Sequence, residues 1–382
     1  MAEPKLKLGN DIWATKQKSL LAYNDEGGNF KSLPFQVDRI SGASYVGRNG
    51  LVQYAASNEP RVDFTSNTKG GLLLEQQRTN LCLYSETLSD WQVLTGASLQ
   101  TINDNDAIAP DGTQSASTIT FSSNGSSLIR HYSSTSYTSA KHSCSFWVKK
   151  ISGNGTVEFG LTDTQTEFTP TDEWVRYEVN NITPTNFGLP LFLDLEFQCS
   201  AGDKIAVWGI QLEAGTYSTS TIPTSGAAVT RVQDVCTQKP PNGILGQSEG
   251  VLFIDMENFG QVGSNYNSFL KICDTNDNTD RVIVQNSAEA NNRIIIVVRA
   301  NSSTLFQPRE DIPSGRVKIA LKYKSGDIDC FINGVKEHFS SSTFSFANTL
   351  NTIKIQNPNK VYQVEIFDEA LSDAELATLT TL

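Results

Sequence analysis

The strongest constraint on this chain is the way its apolar residues are punctuated. Short stretches of apolar–polar alternation recur from about residue 95 to the end, each cut off by Gly, Asn, Asp or Pro. None keeps the 3.6-residue spacing of an amphipathic helix. Alternation of period two puts successive side chains on opposite faces of an extended chain, so these stretches read as strands. They fall at 116–121, 142–149, 155–161, 173–179, 191–199 and 204–212, a rhythm that suits an antiparallel sandwich of jelly-roll type. After the turn-forming break Pro240-Pro241-Asn242-Gly243 they resume at 250–257, 268–274, 280–286, 293–300, 316–323, 328–332, 352–355 and 361–367. A chain of 382 residues is long enough for two or three separate cores. Helix is expected only at the end, where Ser372 and Glu375 spell a capping box. No segment repeats at a period of about 20–50 residues, which speaks against a parallel β-helix.

Residues 1–94 read differently. Turn signals crowd at Asn24-Asp25-Glu26-Gly27-Gly28, Ser41-Gly42, Arg48-Asn49-Gly50 and Asn58-Glu59-Pro60, and strong strand runs are few. The expectation is an extended N-terminal arm for attachment and oligomerisation, with a short hairpin of 43–46 and 51–54 around an Asn-Gly turn. Leu72, Leu74, Leu81 and Leu83 supply alternating apolar positions for a strand docked on the first sandwich. The fold expected is all-β: arm and linker (1–94), jelly roll (95–237) and a second antiparallel β-sandwich (238–382).

Thirty Lys plus Arg against 41 Asp plus Glu leave a formal charge of −11, which repels nucleic acid and anionic membrane surfaces at long range. No run reaches the roughly 18 apolar residues of a membrane span, and the N-terminal sequence lacks the apolar core of a secretory signal. The chain is therefore expected to be soluble and made in the cytosol. Cys82, Cys144, Cys199, Cys236, Cys273 and Cys330 form no C-x-x-C pair, and His131, His142 and His338 lie far apart in sequence. No metal and no cofactor is expected.

Three strings are specific: VDRISGASYVGRNGL (37–51), NEPRVDF (58–64) and GLLLEQQRTNLCLYSE (71–86) before Trp91. In order and spacing they resemble a linker recurrent in the head-fibre, tail-fibre and spike proteins of tailed bacteriophages. APDGT (109–113), FWVK (146–149), EWVR (173–176), QLEAG (211–215), Pro223-Thr224 and Thr230-Arg231 resemble the carbohydrate-binding-module jelly roll that follows that linker. Ile332-Asn333-Gly334-Val335 and EIFDEALSDAE (365–375) are similar to laminin-G and concanavalin-A-like sandwiches. The resemblance implies a virion-surface protein, assembled in the bacterial cytoplasm, whose arm attaches to other virion proteins, as a homotrimer, while its sandwiches contact host glycans.

Sugar rings present apolar C–H faces that stack on aromatic side chains, so a glycan site needs outward Trp or Tyr beside polar groups. Strand alternation places Trp147 with Ser145 and Lys149, and Trp174 with Arg176 and Glu178, away from the core. Trp147, Trp174 and Arg176 are accordingly the candidate carbohydrate-binding residues. Trp208 shares the parity of Ile210 and Leu212 and is expected in the core. Asp194 and Glu196 lie two apart on one strand face, a pair compatible with glycoside hydrolysis, but no nucleophile, zinc or phosphate motif accompanies them. The expectation is a non-enzyme, with a polysaccharide depolymerase and a purely architectural cement protein as the alternatives. Asp274 to Asp280 imitates half a calcium loop but lacks its Gly and Glu, and reads as a polar hairpin tip. The Arg78 guanidinium is expected to fork onto a carboxylate while Thr79 and Asn80 tie backbone groups.

Overall fold

The structure is a computed structural model. It describes all 382 residues except 1, 11, 17, 27–28, 66–67, 97–99, 137–139, 162–163, 185–189, 259–267, 288–291 and 357–358. The Gly27-Gly28 turn lies outside the described residues. Strands dominate, and helix among the described residues is limited to Asp373–Thr380 and the 3-10 turn Leu88–Asp90. The terminal capping box is present: Ser372 accepts from the Glu375 N–H, and the Glu375 carboxylate accepts from the Ser372 N–H.

The chain divides into two compact units: residues 1–50, 55–76 and 232–382 form unit 1, and residues 51–54 and 77–231 form unit 2. Unit 2 is thus largely an insertion in the sequence of unit 1, and the expected linear order of arm, jelly roll and second sandwich does not hold. Segments read as an arm are core strands. Leu6–Gly9 and Gly71–Leu74 both pair with Asn359–Phe367, and Asn29–Asp38 pairs with Val235–Gln238. Leu6, Leu8, Leu20, Phe35, Val37, Leu72 and Leu74 are buried in one cluster with Ile254, Val284, Ile296, Ile319 and Ile355. Burial of these aliphatic side chains, about 25 cal/mol per Å² of apolar area, outweighs the turn-rich look of the segment. It also explains why the strand at Leu72 and Leu74 docks within unit 1.

Unit 1 is built of two facing antiparallel layers. One runs from Ser19–Glu26 through Asn29–Asp38, Val235–Gln238, Thr352–Gln356, Ser268–Cys273 and Arg281–Asn286 to Arg293–Ala300. The other runs from Val335–Ser340 through Ile328–Ile332, Gly315–Lys324 and Glu249–Asn258 to Asn359–Phe367. Alternation turns Leu252, Ile254 and Met256 into the shared core, while Val251 and Phe253 face outward beneath Leu371 and Leu376 at the terminal helix.

Unit 2 is a sandwich of two five-stranded antiparallel sheets. The first orders Gln92–Thr95, Gly125–Ser136, Pro190–Cys199, Thr156–Leu161 and Thr164–Phe168; the second orders Gln100–Ala107, Ala116–Phe121, Lys204–Ala214, His142–Ser152 and Val175–Ile182. Between them Phe146, Phe159, Phe197, Leu195 and Ile210 form a core. All six cysteines are free and buried, behaving as small apolar side chains.

The strings 37–51, 58–64 and 71–86 each contribute a residue to a buried charge network in unit 1. Arg39 donates to Asp234 Oδ1 (2.7 Å) and to the carbonyls of Ser41 (2.9 Å) and Ala56 (2.7 Å). Arg61 reaches Asp234 Oδ2, Glu75 Oε2 (2.7 Å) and the Ser44 carbonyl (2.8 Å). The Glu75 N–H donates to Asp234 Oδ2 (2.9 Å), and the Asp234 N–H returns a bond to the Glu75 carbonyl (3.0 Å). These four side chains are almost wholly buried. The network holds residue 75, where the chain leaves unit 1, against residue 234, where it has returned.

Candidate functional site

Trp147, Trp174 and Arg176 lie in unit 2 on or beside the second sheet, on the side away from its core. Trp147 and Arg176 are cross-strand partners, and Trp174 stands immediately before the strand Val175–Ile182 that carries Arg176. Each is half-buried. Trp147 Nε1 donates to Thr221 Oγ1 (3.4 Å), and Trp174 Nε1 donates to the Ile108 carbonyl (3.0 Å). The Arg176 guanidinium donates to the Thr219 carbonyl (2.5 Å), Ser145 Oγ (2.7 Å) and Glu178 Oε1 (3.1 Å).

This face is covered in part by the chain's own segment 217–224, a cover that strand parity does not reveal. Gln211 accepts from the Ile222 N–H (2.6 Å) and donates to the carbonyls of Thr219 (3.2 Å) and Ser220 (3.3 Å). Glu213 accepts from the Thr219 N–H (2.8 Å) and hydroxyl (2.5 Å). The QLEAG string therefore carries buried polar side chains that anchor a cover, and Arg176 joins them. Of the three candidates, Trp147 and Arg176 are engaged with this segment through Thr221 and Thr219.

Trp208 is buried as expected, but not on the face of Ile210 and Leu212. It is fully buried, but it pairs with Trp147 on the face away from the core, its Nε1 donating to Ser115 Oγ (3.0 Å). The cause is an irregularity in register between Ser145 and Trp147, opposite Gly209 with φ +59°. A bulge reverses side-chain parity, so Val207 and Ile210 both enter the core while Trp208 does not.

One member of the carboxylate pair, Asp194, is held by an arginine. Arg130 grips Asp194 with two prongs, Nε to Oδ1 and Nη2 to Oδ2, both 2.7 Å, and Asp194 is buried. Both carboxylate oxygens are thus engaged by the guanidinium, which leaves the group poorly placed to attack a substrate. At the polar hairpin tip, Asp277 pairs with Lys271 (2.5 Å) and Lys354 (3.0 Å). Asp280 accepts from the backbone N–H groups of Asn301 (2.7 Å) and Asn348 (2.7 Å). Among the described residues no group of three or more His, Cys, Asp or Glu suits a metal ion.

The expected tie at 78–80 is built mainly by Asn80, which donates to the carbonyls of Ile210 (3.1 Å) and Ile222 (2.8 Å) and accepts from the N–H groups of Cys82 (3.0 Å) and Leu212 (3.0 Å). Arg78 lies over the Tyr217 ring at 5.1 Å. Two-pronged guanidinium–carboxylate geometry is seen at Arg130, Arg293 and Arg316.

Two open clefts among the described residues are lined largely by polar groups. In unit 1 a cavity of about 260 Å³ is lined by Asn10, Lys69, Asp255, Arg316, Tyr362 and Gln363. Arg316 forks onto Asp255 (2.9 and 2.6 Å) and lies 4.9 Å from the centre of the Tyr362 ring, so the ring face is covered. In unit 2 a larger cavity, about 480 Å³, opens where loops 122–125, 153–155 and 200–203 meet at strand ends. Its lining is polar and glycine-rich, and residue types scattered this far apart in sequence carry no motif.

No family model matches the chain, and no curated protein matches it. Solved structures similar to parts of it include a carbohydrate-binding module of a Ruminococcus gnavus sialidase bound to sialyllactose, at 16% identity and TM-score 0.30, covering 36% of this chain and 84% of that one. Domain 4 of an arabinanase from Geobacillus stearothermophilus with arabinotriose is 15% identical, TM-score 0.32, over 44% and 82%. Mouse laminin α1 domains LG4-5 are 9% identical, TM-score 0.22, over 64% and 85%. Likenesses this low do not bear on ligand or activity.

Proposed function

We propose that this chain is a non-enzymatic surface protein of a tailed-bacteriophage virion, a head fibre, tail fibre or decoration protein, that presents β-sandwich units for glycan contact. The observation that carries the reading is the buried network of Arg39, Arg61, Glu75 and Asp234. Its first three members are charged residues drawn one from each of the strings that resemble the phage linker, and the fourth follows the jelly roll. The three strings thus meet in one physical device of this chain. Segments 1–50 and 55–76, folded into unit 1, take the attachment role on other virion proteins, with a homotrimer as the assembly. The Arg130–Asp194 pairing supports the non-enzymatic part, and the open polar clefts support glycan contact.

Immunogold labelling of intact particles with antibody to this chain tests the virion assignment: label at regular sites is expected, and unlabelled particles overturn it. Binding of the purified chain to host cells, competed by host polysaccharide, tests adhesion. Release of reducing ends from that polysaccharide, lost in Asp194→Asn, would establish the depolymerase instead.

A further inference from the structure

We infer that the cleft at the end of the unit 2 sandwich binds a neutral, polyhydroxylated ligand of hexose size and discriminates against anionic sugars. This rests on the glycan-contact reading and supplies its site and ligand class. The volume, about 480 Å³, falls within the roughly 300–1,000 Å³ of pockets that hold small molecules.

The floor is rigid before any ligand arrives. Asp203 accepts from the Ser200 N–H (2.8 Å) through Oδ2, and its own N–H donates to the Ser200 carbonyl (3.1 Å). Loop 200–203 is further held by Asn124 on the Ala201 N–H (2.9 Å), by Ser152 Oγ on the Gly202 carbonyl (2.8 Å), and by the Phe121 backbone on both sides. A Cβ at Gly153 would strike the Asp203 carboxylate, and one at Gly155 would come within 2.8 Å of the Gln198 carbonyl and 2.9 Å of Asp203 Oδ2. Only glycine lets this loop lie against the carboxylate. It leaves an approach with no side chain in the way.

The lining selects the ligand. Asn154 and Gln198 are exposed amides that both donate and accept, Ser126 and Ser200 are exposed hydroxyls that do the same, and Asp203 only accepts. Adjacent sugar hydroxyls match such a set, donating to the carboxylate and exchanging bonds with the amides. Among the described residues that line the cleft there is no Lys, Arg or His, so an anionic group would meet Asp203 and the −11 charge of the chain without a counter-charge from that lining. The described lining also holds no aromatic ring, so affinity rests on hydrogen bonds, and a dissociation constant of about 1 mM is expected per site. A trimer would raise the apparent affinity by multivalency.

The test is saturation-transfer NMR on the full chain. The probes are methyl glycosides of glucose, galactose and N-acetylglucosamine, with glucuronic acid as the anionic counterpart. An Asn154→Ala/Gln198→Ala variant, altered only at exposed positions, and a Trp174→Ala variant run alongside. Saturable transfer to at least one neutral glycoside is expected, weakened tenfold or more in the double variant, unchanged in Trp174→Ala and absent for glucuronic acid. Neutral binding that survives the double variant and falls with Trp174→Ala moves the sugar to the sheet face, overturning the cleft while leaving glycan contact standing. Glucuronic acid bound through Asn154 and Gln198 overturns the discrimination. No transfer to any probe, while the chain still adheres to host cells, overturns the cleft alone.

Discussion

Asp234→Asn keeps the shape of a buried side chain in unit 1 and removes one of its charges. Arg39, Arg61, Glu75 and Asp234 balance as two positive and two negative groups, so the variant strands one positive charge in a site closed to water. Asp234 accepts from Arg39, Arg61 and the Glu75 N–H. Bonds to a charged acceptor contribute about 1.5–3 kcal/mol each, and the amide keeps one carbonyl oxygen to receive them. Removing one partner of a buried ion pair costs about 3–5 kcal/mol, and that is the loss expected here. Against a typical domain stability of about 5–15 kcal/mol it is a large fraction. Tryptophan fluorescence would misreport it, because Trp91, Trp147, Trp174 and Trp208 belong to unit 2 and only Trp13 to unit 1. Hydrogen exchange across a urea series, read on peptides covering Glu249–Asn258 for unit 1 and Lys204–Ala214 for unit 2, separates the two. A loss in unit 1 below about 1 kcal/mol would refute the reasoning. The all-apolar replacement Arg39→Met, Arg61→Met, Glu75→Leu, Asp234→Leu sharpens the test. Buried ion clusters are often replaced this way without loss, but here the arginines also satisfy the carbonyls of Ser41, Ala56 and Ser44. Those carbonyls would be orphaned, so this variant is expected to remain destabilised by at least about 2 kcal/mol. Wild-type stability in it would show that the carbonyl bonds contribute nothing.

Unit 2 holds two groups with opposite pH slopes. Burial pushes His131 from 6.5 down to about 4, so the unfolded chain binds its proton first; this contribution is present above pH 6.5 and lost as pH falls toward 4, about 2–3 kcal/mol in all. Burial, and then Asp111, push Glu86 from 4.5 up to about 7, so the folded chain holds that proton, and its contribution is present below pH 4.5 and lost as pH rises through 7. Urea midpoints between pH 4.5 and 7.5 are expected to fall with rising pH in His131→Gln and to rise in Glu86→Gln; slopes of one sign in both variants refute the assignment. Gly209→Ala places a Cβ at positive φ, 3.2 Å from Trp147 Cδ1 and Thr221 Cγ2, and is expected to cost unit 2 about 1–3 kcal/mol by urea unfolding monitored by tryptophan emission. Ser372→Ala removes the terminal capping box and is expected to cost unit 1 about 0.5–2 kcal/mol, measured as faster exchange of the Glu375 and Leu376 amides.

Ala116–Phe121 and Ile328–Ile332 occur where alternation places them, because period-two patterning is a local property of an extended chain. Gly125–Ser136 escaped that reading, since GSSLIRHYSSTS alternates weakly; it nonetheless pairs along much of its length with Pro190–Cys199. Trp208 escaped for another reason: one residue in a bulge inverts every parity argument beyond it. At the candidate site, the shared face of Trp147 and Arg176 was legible, but its cover was not. Segment 217–224 has no periodicity, and what holds it are hydrogen bonds from Gln211 and Glu213, which look in sequence like solvated strand residues.

The all-β class, many of the strands after residue 95 and the terminal helix follow from sequence alone because neighbours along the chain decide them: alternation, turn residues and caps act within a few positions. The assignment of Leu6, Leu20, Phe35 and Leu72 to the core of unit 1, the meeting of Arg39, Arg61, Glu75 and Asp234, and the cleft around Asp203 were decided only in three dimensions. Each joins residues from distant stretches, and a buried charge or a polar cleft gains its meaning from partners that the linear order does not place beside it.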